Sequence, residues 1–193
     1  MTSPLVNFLS YNSTGMNTVK AEWIRDLLKV TSSHYVGIQE HFKRTKTVDK
    51  FFRDQFSDYS SYVVPAHREQ NQDSGRAKGG LVTLYKKQLN VKCERLQTKS
   101  FRIQAQTLCF PNTRILWINV YLPTDPQTQN FDAAELLVVL SEIETVMDTS
   151  DYDDCILQGD LNWDSNRQSG FSKVVSKVLC QGWPGVSVGY LSH

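Results

Sequence analysis

Apolar positions along this chain change period several times, and each change marks an element. "LVNFLSYN" alternates and predicts a first strand ending at Asn12, after which "TVKAEWIRDLLKV" takes helical spacing with Trp23, Ile24, Leu27 and Leu28 on one face. "HYVGIQE" predicts a short buried strand ending at Glu40, "TVDKFFRDQF" a second helix and "YSSYVVPA" another strand. The polar stretch "HREQNQDSGRAK" has turn composition and precedes the strand "GGLVTLY". Three β-rich runs follow, "NVKCERL", "FRIQAQTLCF" and "RILWINVYLP", separated by turn signals at Gln88-Leu89-Asn90 and Pro111-Asn112-Thr113, with the last strand ending at Tyr121. "FDAAELLVVLSEIETVMD" is the strongest helical pattern, with Asp132 placed to cap it and Glu135 at the capping-box position. "DCILQGDLN" then predicts a strand ending at Asp160.

Strands alternate with helices in both halves and form a meander between them, which predicts the α+β class. No repeat, linker or low-complexity tract divides the 193 residues, so a single domain is expected over 1–193. An apolar content of 40% with 21% charged residues excludes a disordered or fibrous chain. The longest apolar runs, such as "ELLVVL", fall far short of the roughly 20 residues that a membrane-spanning helix needs. The opening "MTSPLVNFLSYNSTG" has no basic n-region, so an intracellular, nuclear or cytoplasmic monomer is expected, neither secreted nor membrane-bound. Cys93, Cys109, Cys155 and Cys180 lack the spacing of a zinc site or a disulfide framework and are expected to be free thiols. A formal charge of +1 gives no global attraction to nucleic acid, so any such binding must rest on a local patch.

The informative polar residues lie where strands end. Asn12, Glu40, Tyr121, and Asp160 with Asn162 each stand at the carboxyl end of a predicted strand, where side chains can leave an apolar core and gather in one crevice. Such a set suits metal-assisted attack on a phosphate ester. Glu40 offers hard oxygen for Mg²⁺, Asp160 can orient or deprotonate water, Asn12 and Asn162 can hold phosphate oxygens or support the metal, and Tyr121 can donate to developing charge. The plainer reading is that Asp160 and Asn162 close an Asx turn and that Asn12, before Ser13 and Gly15, is another turn residue. His41 falls on the opposite face from its neighbours if the strand continues, which separates it from a metal at Glu40, and His34 and His67 read as surface residues. Two basic groups, Lys43, Arg44 and Lys46 beyond Glu40, and Arg68, Arg76 and Lys78 before "GGLVTLY", are either a solvated face or contacts for DNA phosphates. Trp163 either stacks on a base or sugar or is buried.

Taken in order, "SYN" at 10–12, "IQE" at 38–40, "KGGLVTLY" at 78–85, "VYLP" at 120–123 and "GDLN" at 159–162 resemble the endonuclease/exonuclease/phosphatase superfamily across residues 5 to about 165. "INVYLPTD", a helix and then "ILQGDLNWD" look most like the endonuclease domain of non-LTR retrotransposons, relatives of the apurinic/apyrimidinic endonucleases. The resemblance implies a four-layer α/β sandwich of two packed mixed β-sheets flanked by helices. It implies a Mg²⁺-dependent phosphodiesterase, with Mn²⁺ as a substitute, that cuts DNA to leave a 3′ hydroxyl; in a retroelement the nick would prime a reverse transcriptase in the same parent protein. By the same resemblance Glu40 binds the metal, Asn12 supports it, Tyr121 acts near the scissile phosphate, Asp160 orients or deprotonates water and Asn162 is its transition-state partner. The Ser-Asp-His segment that closes the family pattern is missing, and His193 follows Leu191-Ser192 instead. The expectation is therefore a truncated or divergent tail from about residue 180 to 193, an exposed edge on the second sheet, and impaired activity. Two other readings stand beside the nuclease: a phosphatase of the same superfamily acting on a phospholipid or inositol phosphate, and a noncatalytic remnant that binds DNA.

Overall fold

The computed structural model describes residues 6–44, 47–67, 77–89, 91–124, 133–164, 166–167, 169–179, 183 and 186–190. In chain order the elements are β1 (Phe8–Asn12), α1 (Thr18–Thr31), β2 (Tyr35–Gln39), α2 (Val48–Gln55), β3 (Tyr59–Val64), β4 (Leu81–Lys86), β5 (Lys92–Leu96), β6 (Ile103–Cys109), β7 (Arg114–Tyr121), α3 (Ala134–Thr149), β8 (Asp154–Asp160), α4 (Gly170–Lys177) and β9 (Val186–Tyr190). The chain is α+β, as its pattern predicts, with two mixed sheets ordered β1-β2-β4-β3 and β5-β6-β7-β8-β9. These fall into two compact units, Met1–Asn90 and Val91–His193.

In the first unit, β1 and β2 run parallel and β4 and β3 complete the sheet antiparallel. Alternation sends Leu9, Tyr11, Val36, Ile38, Val82, Leu84 and Val63 to one face, where they pack with Ala21, Ile24 and Leu28 of α1 and Val48 and Phe52 of α2. Asn17 caps α1 by accepting from the Lys20 N–H at 2.8 Å, and Ser32 closes it in the left-handed conformation. Trp23 departs from its expected place: it lies a position off the Ala21-Ile24-Leu28 stripe, is 52% exposed and leans on Tyr11 with ring centroids 5.3 Å apart.

In the second unit β5, β6 and β7 are antiparallel, and β8 and β9 add parallel strands. Ile103, Ala105, Leu116, Ile118, Val120, Cys155 and Leu157 face Leu136, Val139, Leu140, Ile143 and Val146 of α3 and Phe171 and Val175 of α4. Asp132, the expected cap of α3, lies outside the described residues; Ala133 holds the cap position without a side-chain bond, and Glu135 is engaged by Arg102 rather than by a capping box. In the tail expected to diverge, β9 pairs with β8 from Cys155↔Val186 to Gly159↔Tyr190, so the second sheet ends on β9. Neither α4 nor β9 was given by the hydrophobic pattern. Among the described residues no helix is long and apolar enough to cross a membrane; Cys93, Cys109 and Cys155 are thiols in no disulfide, and Cys180 lies outside the described residues.

Candidate active site

Each sheet has one face greased by helices and one face that carries amides and hydroxyls. On the second face of the first sheet are Ser10, Asn12, Gln39 and Thr83, and on that of the second are Gln104, Asn119 and Gln158, which share one row through the register Gln104↔Asn119↔Gln158. Gln39, Thr83, Gln104, Asn119 and Gln158 are all buried; within the first sheet Gln39 Nε2 donates to Ser10 Oγ at 3.1 Å, and within the second Asn119 Nδ2 donates to Gln104 Oε1 at 3.4 Å. The sequence-selected residues lie at the carboxyl ends of these same faces.

In the first unit Asn12 sits opposite Gln39 at the ends of the parallel pair β1 and β2. Strict alternation would turn Glu40 toward the helix-packed face beside Ile38, but its φ of 56° swings the chain into the left-handed region. The carboxylate then meets Asn12, whose Nδ2 donates to Oε2 at 2.9 Å, while Asn12 Oδ1 accepts from the Thr14 N–H at 2.8 Å. Asn12 thus serves both as a turn residue and as the group that orients Glu40. The neighbour His41 is held away, with Nε2 3.1 Å from the Val64 carbonyl, Nδ1 accepting from the Lys43 N–H at 3.0 Å, and its ring edge-on to Phe52. Burial holds the His41 imidazole neutral, its pKa pulled down to about 4. Gly80 makes this seat: at φ 92°, a Cβ there would lie 2.5 Å from the His41 ring.

In the second unit Tyr121 and Asp160 end the parallel pair β7 and β8 in direct register. Gly159, at φ 145°, lets the two backbones close up, since a Cβ on it would stand 1.9 Å from the Val120 carbonyl oxygen. Asp160 Oδ1 accepts from the Asn162 N–H at 3.0 Å, and Asn162, at φ 47°, sends Nδ2 back to the Leu122 carbonyl at 2.7 Å. The Asx turn and the positioning of site residues are therefore one arrangement. Leu161 between them is buried in the core.

The nucleic-acid candidates divide. Arg44 and Lys78 are exposed, with Lys78 paired through its backbone to His67 at 2.8 and 2.9 Å. Lys43 is half-buried with Nζ 3.8 Å over the Phe51 ring, and desolvation lowers its pKa. Trp163 is half-buried against the core of the second unit. Lys46, Arg68 and Arg76 lie outside the described residues. Arg102 and Glu135 were not legible as site residues, yet Arg102 lies directly against Tyr121: its guanidinium carbon is 5.1 Å from that ring's centroid.

No cluster of three His, Cys, Asp or Glu side chains is gathered among the described residues. A hard cation does not require one, since Mg²⁺ keeps most of its water and binds through one or two carboxylates with substrate phosphate. Glu40, an oxygen donor fixed by an amide, fits that demand.

No family model matches the sequence, and no curated protein aligns with it significantly. Solved structures do match. The chain is similar to the AP endonuclease LMAP from Leishmania major, at 15% identity and TM-score 0.64 over 94% of this chain and 71% of that one. The catalytic domain of Xenopus laevis APE2 matches at 13% identity and TM-score 0.62, over 88% and 67% of the two chains. The endonuclease domain of TRAS1, a telomere-specific non-LTR retrotransposon, matches at 12% identity and TM-score 0.59, over 92% and 72%. These likenesses show the fold alone: two mixed β-sheets flanked by helices, the architecture that the resemblance implied.

Proposed function

We propose that this chain is a divalent-metal-dependent phosphodiesterase that cuts DNA, an endonuclease domain of the kind found in non-LTR retroelements, working inside the cell. The single observation that carries the reading is the Asn12–Glu40 pair, bonded at 2.9 Å at the ends of β1 and β2, within a fold shared with an AP endonuclease. Glu40 would hold Mg²⁺, or Mn²⁺ in its place, and Asn12 keeps the carboxylate aimed. When bound, the ion would supply positive charge to the phosphate and its leaving oxygen. Asp160 orients the attacking water and takes its proton, held for that task by the Asn162 N–H at 3.0 Å. Tyr121 donates from its hydroxyl to charge building on the phosphoryl oxygens. Asn162 fixes the turn that keeps Asp160 at the end of β8. Arg44 and Lys78, both exposed, contribute phosphate contacts that weaken with salt. A 3′ hydroxyl left at the nick would suit a polymerase in the parent protein.

No Ser-Asp-His segment occurs in the 193 residues, and loss of a positioned acid or base slows such reactions by roughly 10² to 10⁴. The activity of the chain as given is therefore expected to be slow. The test is nicking of supercoiled plasmid with Mg²⁺, with EDTA and with the Glu40→Ala protein as blanks. Slow, EDTA-sensitive nicking that leaves ends a DNA polymerase can extend supports the reading. Wild-type nicking no faster than Glu40→Ala would sink it, and phosphate release from a small ester in its place would move the chain among the phosphatases.

A further inference from the structure

Arg102 is a buried cation that the proposed chemistry does not use. It stands where β6 would continue, opposite Tyr121, which donates its N–H to the Arg102 carbonyl at 2.9 Å. Directly opposed residues of an antiparallel pair point to the same face, so the two side chains are neighbours by register. The guanidinium lies over two rings, with its central carbon 5.1 Å from the centroids of both Phe101 and Tyr121. Its donors are committed as well: Nε and Nη2 each lie 2.8 Å from Glu135 Oε1 on α3, and Nη1 reaches the Tyr121 carbonyl at 3.4 Å.

That commitment decides between two roles. A phosphate-binding arginine keeps donors and exposure for its anion, whereas the Arg102 side chain is only 9% exposed and its partner carboxylate is 58% exposed. A buried guanidinium without that carboxylate would be costly, so Glu135 fixes where the cation sits. The cation in turn packs on the face of Tyr121, an attraction that resists rotation of the ring. Across β7 the same level holds Asp160, through the register Tyr121↔Asp160. Arg102, Tyr121 and Asp160 thus form one row along the end of the sheet.

We infer that Arg102, anchored by Glu135, is a positioning residue that sets the orientation of the Tyr121 phenol toward its work beside Asp160. The catalytic part of this inference rests on the proposed nuclease function; the anchoring does not. A displaced catalytic group commonly costs one to two decades of rate, so Arg102→Ala is expected to lower kcat by roughly 10-fold to 10²-fold with KM for plasmid little changed. Glu135→Gln should give a smaller loss of the same kind. In a Tyr121→Phe protein, Arg102→Ala should cost nothing more.

The experiment pairs this kinetic series with ¹⁹F NMR of full-length protein carrying 3-fluorotyrosine, the Tyr121→Phe protein identifying the line. Expected is a Tyr121 resonance that shifts or broadens in Arg102→Ala and Glu135→Gln while the other tyrosine lines stay in place. If wild type does not nick but the line responds, the anchoring stands and the nuclease reading fails. If wild type nicks and the line is indifferent to both substitutions, the positioning role is overturned. A rise in KM that is largest at low salt and shrinks as salt is added would equally overturn it, by making Arg102 a phosphate contact. Should Arg102→Ala fail to fold, Arg102→Lys and Glu135→Gln decide by the same line.

Discussion

The two units solve the same local problem at the ends of their parallel strand pairs, and they do so with different means. After β2 a non-glycine residue, Glu40 at φ 56°, takes the left-handed turn itself and is held by one amide from the neighbouring strand. After β8 the turn is spread over three residues: Gly159 permits the close approach, Asp160 accepts from the backbone, and Asn162 at φ 47° ties back to the Leu122 carbonyl. The first end leaves its carboxylate fixed by a single soft contact. The second builds the carboxylate into the backbone. Left-handed backbone costs a non-glycine residue about 1–2 kcal/mol, so both ends hold strain, at Glu40 where alternation alone would have turned the carboxylate toward the apolar core and at Asn162 where the chain turns away from β8. Under the proposed function, the looser design would suit the binding of an exchangeable cation at Glu40 and the tighter one the orienting of water by Asp160.

The largest expected effect breaks the tighter end. Gly159→Ala would set a Cβ 1.9 Å from the Val120 carbonyl oxygen and separate β7 from β8. A loss of about 3 kcal/mol is expected, read as a lower midpoint of urea unfolding. An unchanged midpoint would show that the strand ends are slack.

Near the looser end, His41 gives an effect of similar kind that pH reveals. Its pKa falls from the ordinary 6.5 to about 4 through burial, so between those values the unfolded chain binds a proton that the folded chain refuses. Stability is therefore full above about pH 6.5 and is lost as pH falls toward 4, by about 3 kcal/mol in all. Urea unfolding at stepped pH should show that slope, and His41→Gln should flatten it.

Asn12 sharpens the comparison more gently. With the amide removed in Asn12→Ala, Glu40 keeps its charge but loses its aim, and the Mg²⁺ concentration for half-maximal nicking should rise roughly 10-fold to 100-fold. No rise would show that Glu40 needs no support. Smallest is the cap of α1: Asn17→Ala removes the bond to the Lys20 N–H and should cost about 1 kcal/mol in thermal or urea unfolding.

What the sequence could and could not reveal follows from this geometry. Strands such as β2 and β7 announce themselves because continuous apolar runs have few other uses, and their ends at Glu40 and Tyr121 were legible as abrupt polar breaks. Trp23 was misplaced by a single position, since a large apolar residue beside a helical stripe looks like part of it. The elements α4 and β9 were lost because "GFSKVVSK" and "VSVGY" are short and lie in a region where the family pattern had stopped. Arg102 could not have been found from its neighbours in the chain. Its meaning comes from the register that sets it against Tyr121 and from a carboxylate 33 positions later, neither of which has a local signature.

The most direct measurement compares nicking rates of wild type, Glu40→Ala, Asp160→Ala and the double substitution under saturating Mg²⁺. If the carboxylates of the two strand ends serve one reaction, each single substitution should fall to nearly the rate of the double, a drop of roughly 10² to 10⁴ that does not multiply. Losses that multiply in the double protein, or nicking that survives either substitution, would contradict a shared reaction.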